Sequence, residues 1–172
     1  ADAKPPDLFA DISDEWIREH DLKHAEWKDR AKLERDNYIT YTNAGYEVLV
    51  RTGEAMEQMN AFYRQFFRHG TEEHGGSVPR IGINIFKNRD EYLELGIGPP
   101  VEWSGGHFTG AFVETYIGQG GFNDMVGTLF HEAAHHFVSL ATNASGWLSD
   151  CSHPTDVTVP TPIATDGSGL PT

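Results

Sequence analysis

Cysteine is almost absent from this chain: Cys151 stands alone in 172 residues, so no disulfide can form within it and the redox compartment stays open. Basic residues are also scarce. Lys and Arg total 13 against 26 Asp and Glu, a formal charge of −13, and such a surface repels phosphate backbones, so nucleic acid is not an expected partner. No run approaches the roughly 18 apolar residues that a membrane span needs. With 38% hydrophobic residues and a mean hydropathy of −0.47, the chain reads as one globular domain long enough to bury a core without staples. It begins at Ala1 with no charged-then-apolar leader, which leans towards export with a signal peptide already removed. Oligomeric state is left open.

Residues 1–12, with Pro5-Pro6, read as a loose lead-in, 13–150 as the domain and 151–172 as an irregular tail rich in Pro, Thr, Ser, Asp and Gly. From Asp14 to about Arg35 the chain is charged and helix-friendly, and a helix broken near Asp21 is expected. The alternation in "NYITYT" (37–42) predicts a half-buried strand. Asn43 is placed to cap a long helix from Ala44 to about His69, with Leu49, Met56, Met59, Tyr63, Phe66 and Phe67 as its core stripe. "RIGINIF" (80–86) predicts a second strand, and Asn88 the start of a short helix. "HFTGAFV" (107–113) and "TYIGQ" (115–119) are strand-like runs broken by glycine, and Asn123 or Asp124 is placed to cap a helix to about Leu140. Strands and helices interleave, but glycine-rich gaps stand where regular crossovers belong, so the expected class is α+β.

That last helix carries "TLFHEAAHHF" (128–137). His131 and His135 are one turn apart, so their imidazoles leave the same face and can share an ion. Zinc suits them: it takes neutral imidazole nitrogen at about 2.0–2.1 Å and prefers four ligands. Glu132 falls at the edge of that face, where it can accept a proton from a water that the metal acidifies. The flanking Val126, Leu129, Phe130, Ala133, Ala134, Phe137 and Val138 predict a buried helix. His136 is turned about 100° from His135 and is expected to miss the ion. His20, His24, His69, His74 and His107 fall in polar or loop settings and are expected to be solvated.

A third ligand must come from elsewhere. Val138 and Ala141 occupy the places of the downstream glycine and histidine in the elongated motif, which excludes the metzincin pattern. Downstream, "GWLSDC" (146–151) resembles the Trp-Leu-x-Glu-Gly stretch of the gluzincin zinc metallopeptidases, in particular their small members. The order of a Tyr-rich strand, a long helix, a strand followed by Asn-Arg-Asp-Glu-Tyr, and a Gly-Ala-Phe strand is also similar to that group. The resemblance covers roughly residues 37–150 and implies a zincin-like α+β fold, in which a small mixed sheet packs on the long helix and the motif helix. It implies one catalytic zinc on His131, His135 and Asp150, with Glu132 as general base, and peptides or proteins as substrates. Asp150 stands where the family has its glutamate, one methylene shorter; His153 and then Cys151 are the alternatives. "GAFV" (110–113) matches the edge strand that holds the substrate backbone in that family, where main-chain groups suffice. Tyr116 and His107 lie near it in sequence, but no oxyanion-stabilising residue is assigned. The competing reading is a zinc-stabilised or peptide-binding domain of the same fold without turnover. Glu132 separates the two, since a structural zinc has no use for it and is closed by four protein ligands.

Overall fold

The computed structural model describes residues 8–97 and 104–144. It is an α+β domain in which one mixed five-stranded sheet carries two long helices on one face. In chain order the elements are α1 (Asp14–Lys23), β1 (Ala31–Glu34), β2 (Tyr38–Thr42), α2 (Tyr46–Phe66), β3 (Ile81–Phe86), α3 (Arg89–Leu95), β4 (Gly106–Phe108), β5 (Phe112–Tyr116) and α4 (Gly121–Ala144). Across the sheet the strands run β1-β2-β3-β5-β4. The three central strands are parallel, and an antiparallel strand closes each edge.

β3 is buried along its whole length because both its faces are covered. Ile81, Ile83 and Ile85 join Met56 of α2 and Leu129, Ala133 and Phe137 of α4 in the core. On the opposite face Phe86 packs against Trp27 and against Tyr92 of α3. β2 follows the alternation of its sequence, with Tyr38, Thr40 and Thr42 buried. The two long helices are tied directly: the Tyr63 phenol donates to the carbonyl of Phe130 at 2.5 Å.

Four local expectations are corrected. The break expected near Asp21 falls close by, at Lys23, in a helix that Ser13 caps at its start, but no α-helix resumes towards Arg35: residues 31–34 form edge strand β1 instead. "AKLE" alternates inward Ala and Leu with outward Lys and Glu, a period-two signal too short to outweigh the charged run before it. Asn43 does not cap α2. Gly45, at φ 110°, precedes the helix, and Asp21 reaches over from α1 to accept from the Tyr46 N–H at 2.7 Å. Asn43 is engaged elsewhere, donating to the Glu91 carboxylate and accepting from the Lys87 N–H. Phe66 leaves the expected stripe and is 66% exposed, while Asn60, which was not assigned to the stripe, is buried. Asn60 is bound there, donating to the Tyr38 hydroxyl and accepting from Arg64 Nε. Finally, α4 starts at Gly121, ahead of both proposed caps, and runs beyond Leu140 to Ala144.

Burial pushes the Tyr38 phenol up to about 12. A raised folded-state value means stability that is whole below the unfolded value near pH 10 and is lost as pH climbs from about 10 to 12, because the unfolded chain ionises first. Two units correspond to about 3 kcal/mol. Tyr38→Phe is expected to remove this alkaline loss while sacrificing the hydrogen bond from Asn60. Urea unfolding at pH 8 and pH 11 checks it: the parent's advantage over the variant must shrink at pH 11, and parallel pH dependences would refute the assignment.

Candidate metal centre

α4 buries one face. Met125, Leu129, Ala133 and Phe137, spaced four apart, sit in the core, each 2% exposed or less. A residue two positions on from Leu129 lies about 200° round the helix, so His131 and His135 emerge on the exposed side. Glu132 is half-buried between the two faces. His136 falls on the inner side of α4, packed against Phe108 and Phe137, and burial lowers its imidazole pKa.

Among the described residues, His131, Glu132 and His135 are the group whose donor atoms converge, all within 4.8 Å of one another. The two Nε2 atoms are 3.3 Å apart with their rings at 80°. Two zinc–nitrogen bonds of about 2.0–2.1 Å meeting at a tetrahedral angle place their nitrogens about 3.3–3.4 Å apart, so the separation of the pair matches that of two ligands on one ion. The same separation also allows one imidazole to donate to the other.

The centre opens on a groove of about 560 Å³, within the roughly 300–1,000 Å³ range of ligand sites. Gly105 and Gly106 form one side, and Asp124, Thr128, His131 and Glu132 of α4 the other. Gly106 sets how close the walls come. A Cβ there would lie 2.8 Å from the Thr128 methyl and 2.7 Å from the Glu114 carbonyl, so only glycine lets β4 pass so near α4. β4 is the edge of the sheet on this side. The expected edge segment, 110–113, is corrected: it spans the turn at Gly110 and the start of β5, which lies inside the sheet between β3 and β4. The glycine break in "HFTGAFV" marked a hairpin, and its first half is the edge.

Three histidines expected to be solvated are mostly covered. His20 packs among Trp16, His24 and Tyr46, and burial lowers its pKa. His74 is held by Arg68 and Thr71. His107 is 2.6 Å from the Tyr92 hydroxyl and 3.2 Å from the Glu114 carboxylate. Glu114, fully buried in β5, was not singled out from the sequence, although the alternation in "FVETY" places it on the same face as Asn84 of β3. Asp150, Cys151 and His153 lie outside the described residues. No described helix is long and apolar enough to cross a membrane. Comparison with protein-family models, curated proteins and solved structures gives no match.

Proposed function

We propose that the domain is a zinc-dependent peptidase with a zincin-like fold, in which His131, His135 and Asp150 hold the metal and Glu132 is the general base. The observation that carries this reading is the 3.3 Å approach of two imidazole Nε2 atoms on the exposed face of α4, with the Glu132 carboxylate beside them and a groove in front. A bound zinc supplies Lewis acidity, acidifying water and polarising a carbonyl. Glu132 takes the proton from the attacking water and returns it to the leaving amine. Among the described residues β4 is the outermost strand on this side, and an extended peptide can add to such an edge through main-chain hydrogen bonds. The similarity of "GWLSDC" to the gluzincin third-ligand stretch supports peptide hydrolysis over other metal-assisted hydrolysis.

A second reading, a non-catalytic domain of the same fold, draws on the hydrogen-bonding distance between the two imidazoles, which holds the pair together without an ion. Metal analysis of chelator-free protein, followed by incubation with a quenched-fluorescent peptide library, decides between them. About one zinc per chain and Glu132-dependent cleavage support the peptidase. Zinc without cleavage favours the non-catalytic domain, and no zinc at all ends the metal reading.

Asp150 carries its own expectation. Asp150→Ala is expected to weaken zinc binding by about 3 kcal/mol, roughly a hundredfold, leaving residual metal on the two histidines. Asp150→Glu restores the methylene of the family ligand and is expected to bind zinc at least as tightly as the parent. Titration against a chromogenic chelator measures both. Unchanged affinity in Asp150→Ala would transfer the role to His153 or Cys151.

A further inference from the structure

Glu114 has no exposed surface, yet it carries a carboxylate in the middle of a sheet. Burying such a group is costly unless hydrogen bonds replace its water. Its Oε1 accepts from Asn84 Nδ2 of β3 at 2.7 Å. Its Oε2 accepts from the Ile97 N–H, where the chain leaves α3, at 2.8 Å, and lies 3.2 Å from His107 Nε2 of β4. The His107 Nε2 contact with Glu114 is close but not aligned as a hydrogen bond, whereas His107 Nδ1 lies at hydrogen-bonding distance, 2.6 Å, from the Tyr92 hydroxyl of α3. One carboxylate thus ties together β3, edge strand β4 and the exit from α3.

The chain of contacts continues to the groove. From His107 the path to the groove runs along the strand itself, since Gly106 precedes His107 in β4. Ser104 lines the groove with His131 and Glu132, and its hydroxyl accepts from the Gly106 N–H and donates to the Gly106 carbonyl. The path therefore starts at a buried carboxylate, passes through His107 into β4, and ends on the groove wall at Ser104. An apolar side chain would fill the site of Glu114 at lower cost; what it could not do is hold His107 beside Tyr92 in one orientation.

We propose that Glu114, acting through His107 and Tyr92, is a positioning group that fixes Ser104–Gly106 and the β4 edge against α4, so that an extended peptide backbone meets the His131/Glu132 centre in register. This rests on the peptidase reading. These partners of Glu114 and of the Tyr92 hydroxyl lie on β3, β4 and the exit from α3, so the relay governs how a substrate is held rather than the proton transfer itself.

Tyr92→Phe keeps the ring and removes the hydroxyl, and Glu114→Gln keeps the shape and weakens the carboxylate's hold on His107. On the zinc-loaded protein, a peptide from the quenched-fluorescent library is expected to show KM raised about tenfold by Tyr92→Phe, the effect of one lost hydrogen bond, with kcat within about threefold and zinc content unchanged. A merely structural relay would lower thermal stability and leave KM alone, and that result overturns the proposal. Loss of zinc in Tyr92→Phe overturns it too. Amide hydrogen exchange supplies a readout that does not need activity. Faster exchange confined to residues 104–108, with α4 unchanged, supports the positioning role. Unchanged exchange there, or loss of protection throughout, refutes it. Should the parent cleave nothing, the peptidase reading has failed and the exchange result alone decides whether the relay holds the groove wall. If Glu114→Gln does not fold, Tyr92→Phe carries the whole test.

Discussion

Glu132→Gln is expected to bind zinc as the parent does, to unfold at the same temperature, and to lose peptide hydrolysis by roughly 10²–10⁴-fold in kcat. The amide matches the carboxylate in shape but accepts no proton, so it tests proton transfer with little else disturbed. Position supports this isolation. Glu132 is half-buried on the rim of α4 and not in its core face, so the exchange leaves no cavity. It is also one residue from His131, within the same converging group, yet free of any role in holding α4 to the sheet, which falls to Met125, Leu129, Ala133 and Phe137. Steady-state cleavage of a quenched-fluorescent peptide by matched, zinc-quantified samples measures the effect. Cleavage at the parent's rate would remove Glu132 from the chemistry and point to the other carboxylate in the groove lining, Asp124.

The motif was legible because its spacing coincides with the helical period. His131 and His135 share a face only if the segment is a helix, and the apolar Leu129, Ala133 and Phe137 say that it is and which side is inward. β3 and the alternating β2 were legible for similar reasons, since local pattern and burial agree there. What stayed hidden depends on partners distant in sequence. Nothing near Tyr46 says that Asp21, 25 residues earlier, accepts from its N–H, and Asn43 is a cap by composition that tertiary contacts redirect to Glu91 and Lys87. His107 looked solvated because its strand is only three residues long, and its partners Tyr92 and Glu114 come from a helix before it and a strand after it. The edge strand was displaced by a few residues for a similar reason: glycine at 110 signals a turn without saying which flank pairs outward.

His131→Ala and His135→Ala are each expected to take the zinc content from about one per chain to nearly none, the largest change of binding foreseen for any single substitution here. Two ligands on one helix act together, since removing either leaves a lone imidazole that must compete with water. The structural cost is small. Both side chains are exposed, and alanine is the better helix former, so the metal-free variants are expected to unfold at or slightly above the temperature of the metal-free parent. Zinc then separates the readings without an activity assay. A ligand that binds only the folded state at about a hundred times its dissociation constant stabilises by about 2.7 kcal/mol. For a domain of this size that raises Tm by roughly 5–10 °C. The parent is expected to show this rise on adding zinc, and neither alanine variant to show it. If the imidazole pair is held only by its own hydrogen bond, the parent shows no rise either, and the metal reading falls with it. If the alanine variants keep the full rise, zinc is bound elsewhere on this acidic chain, and α4 is not its site.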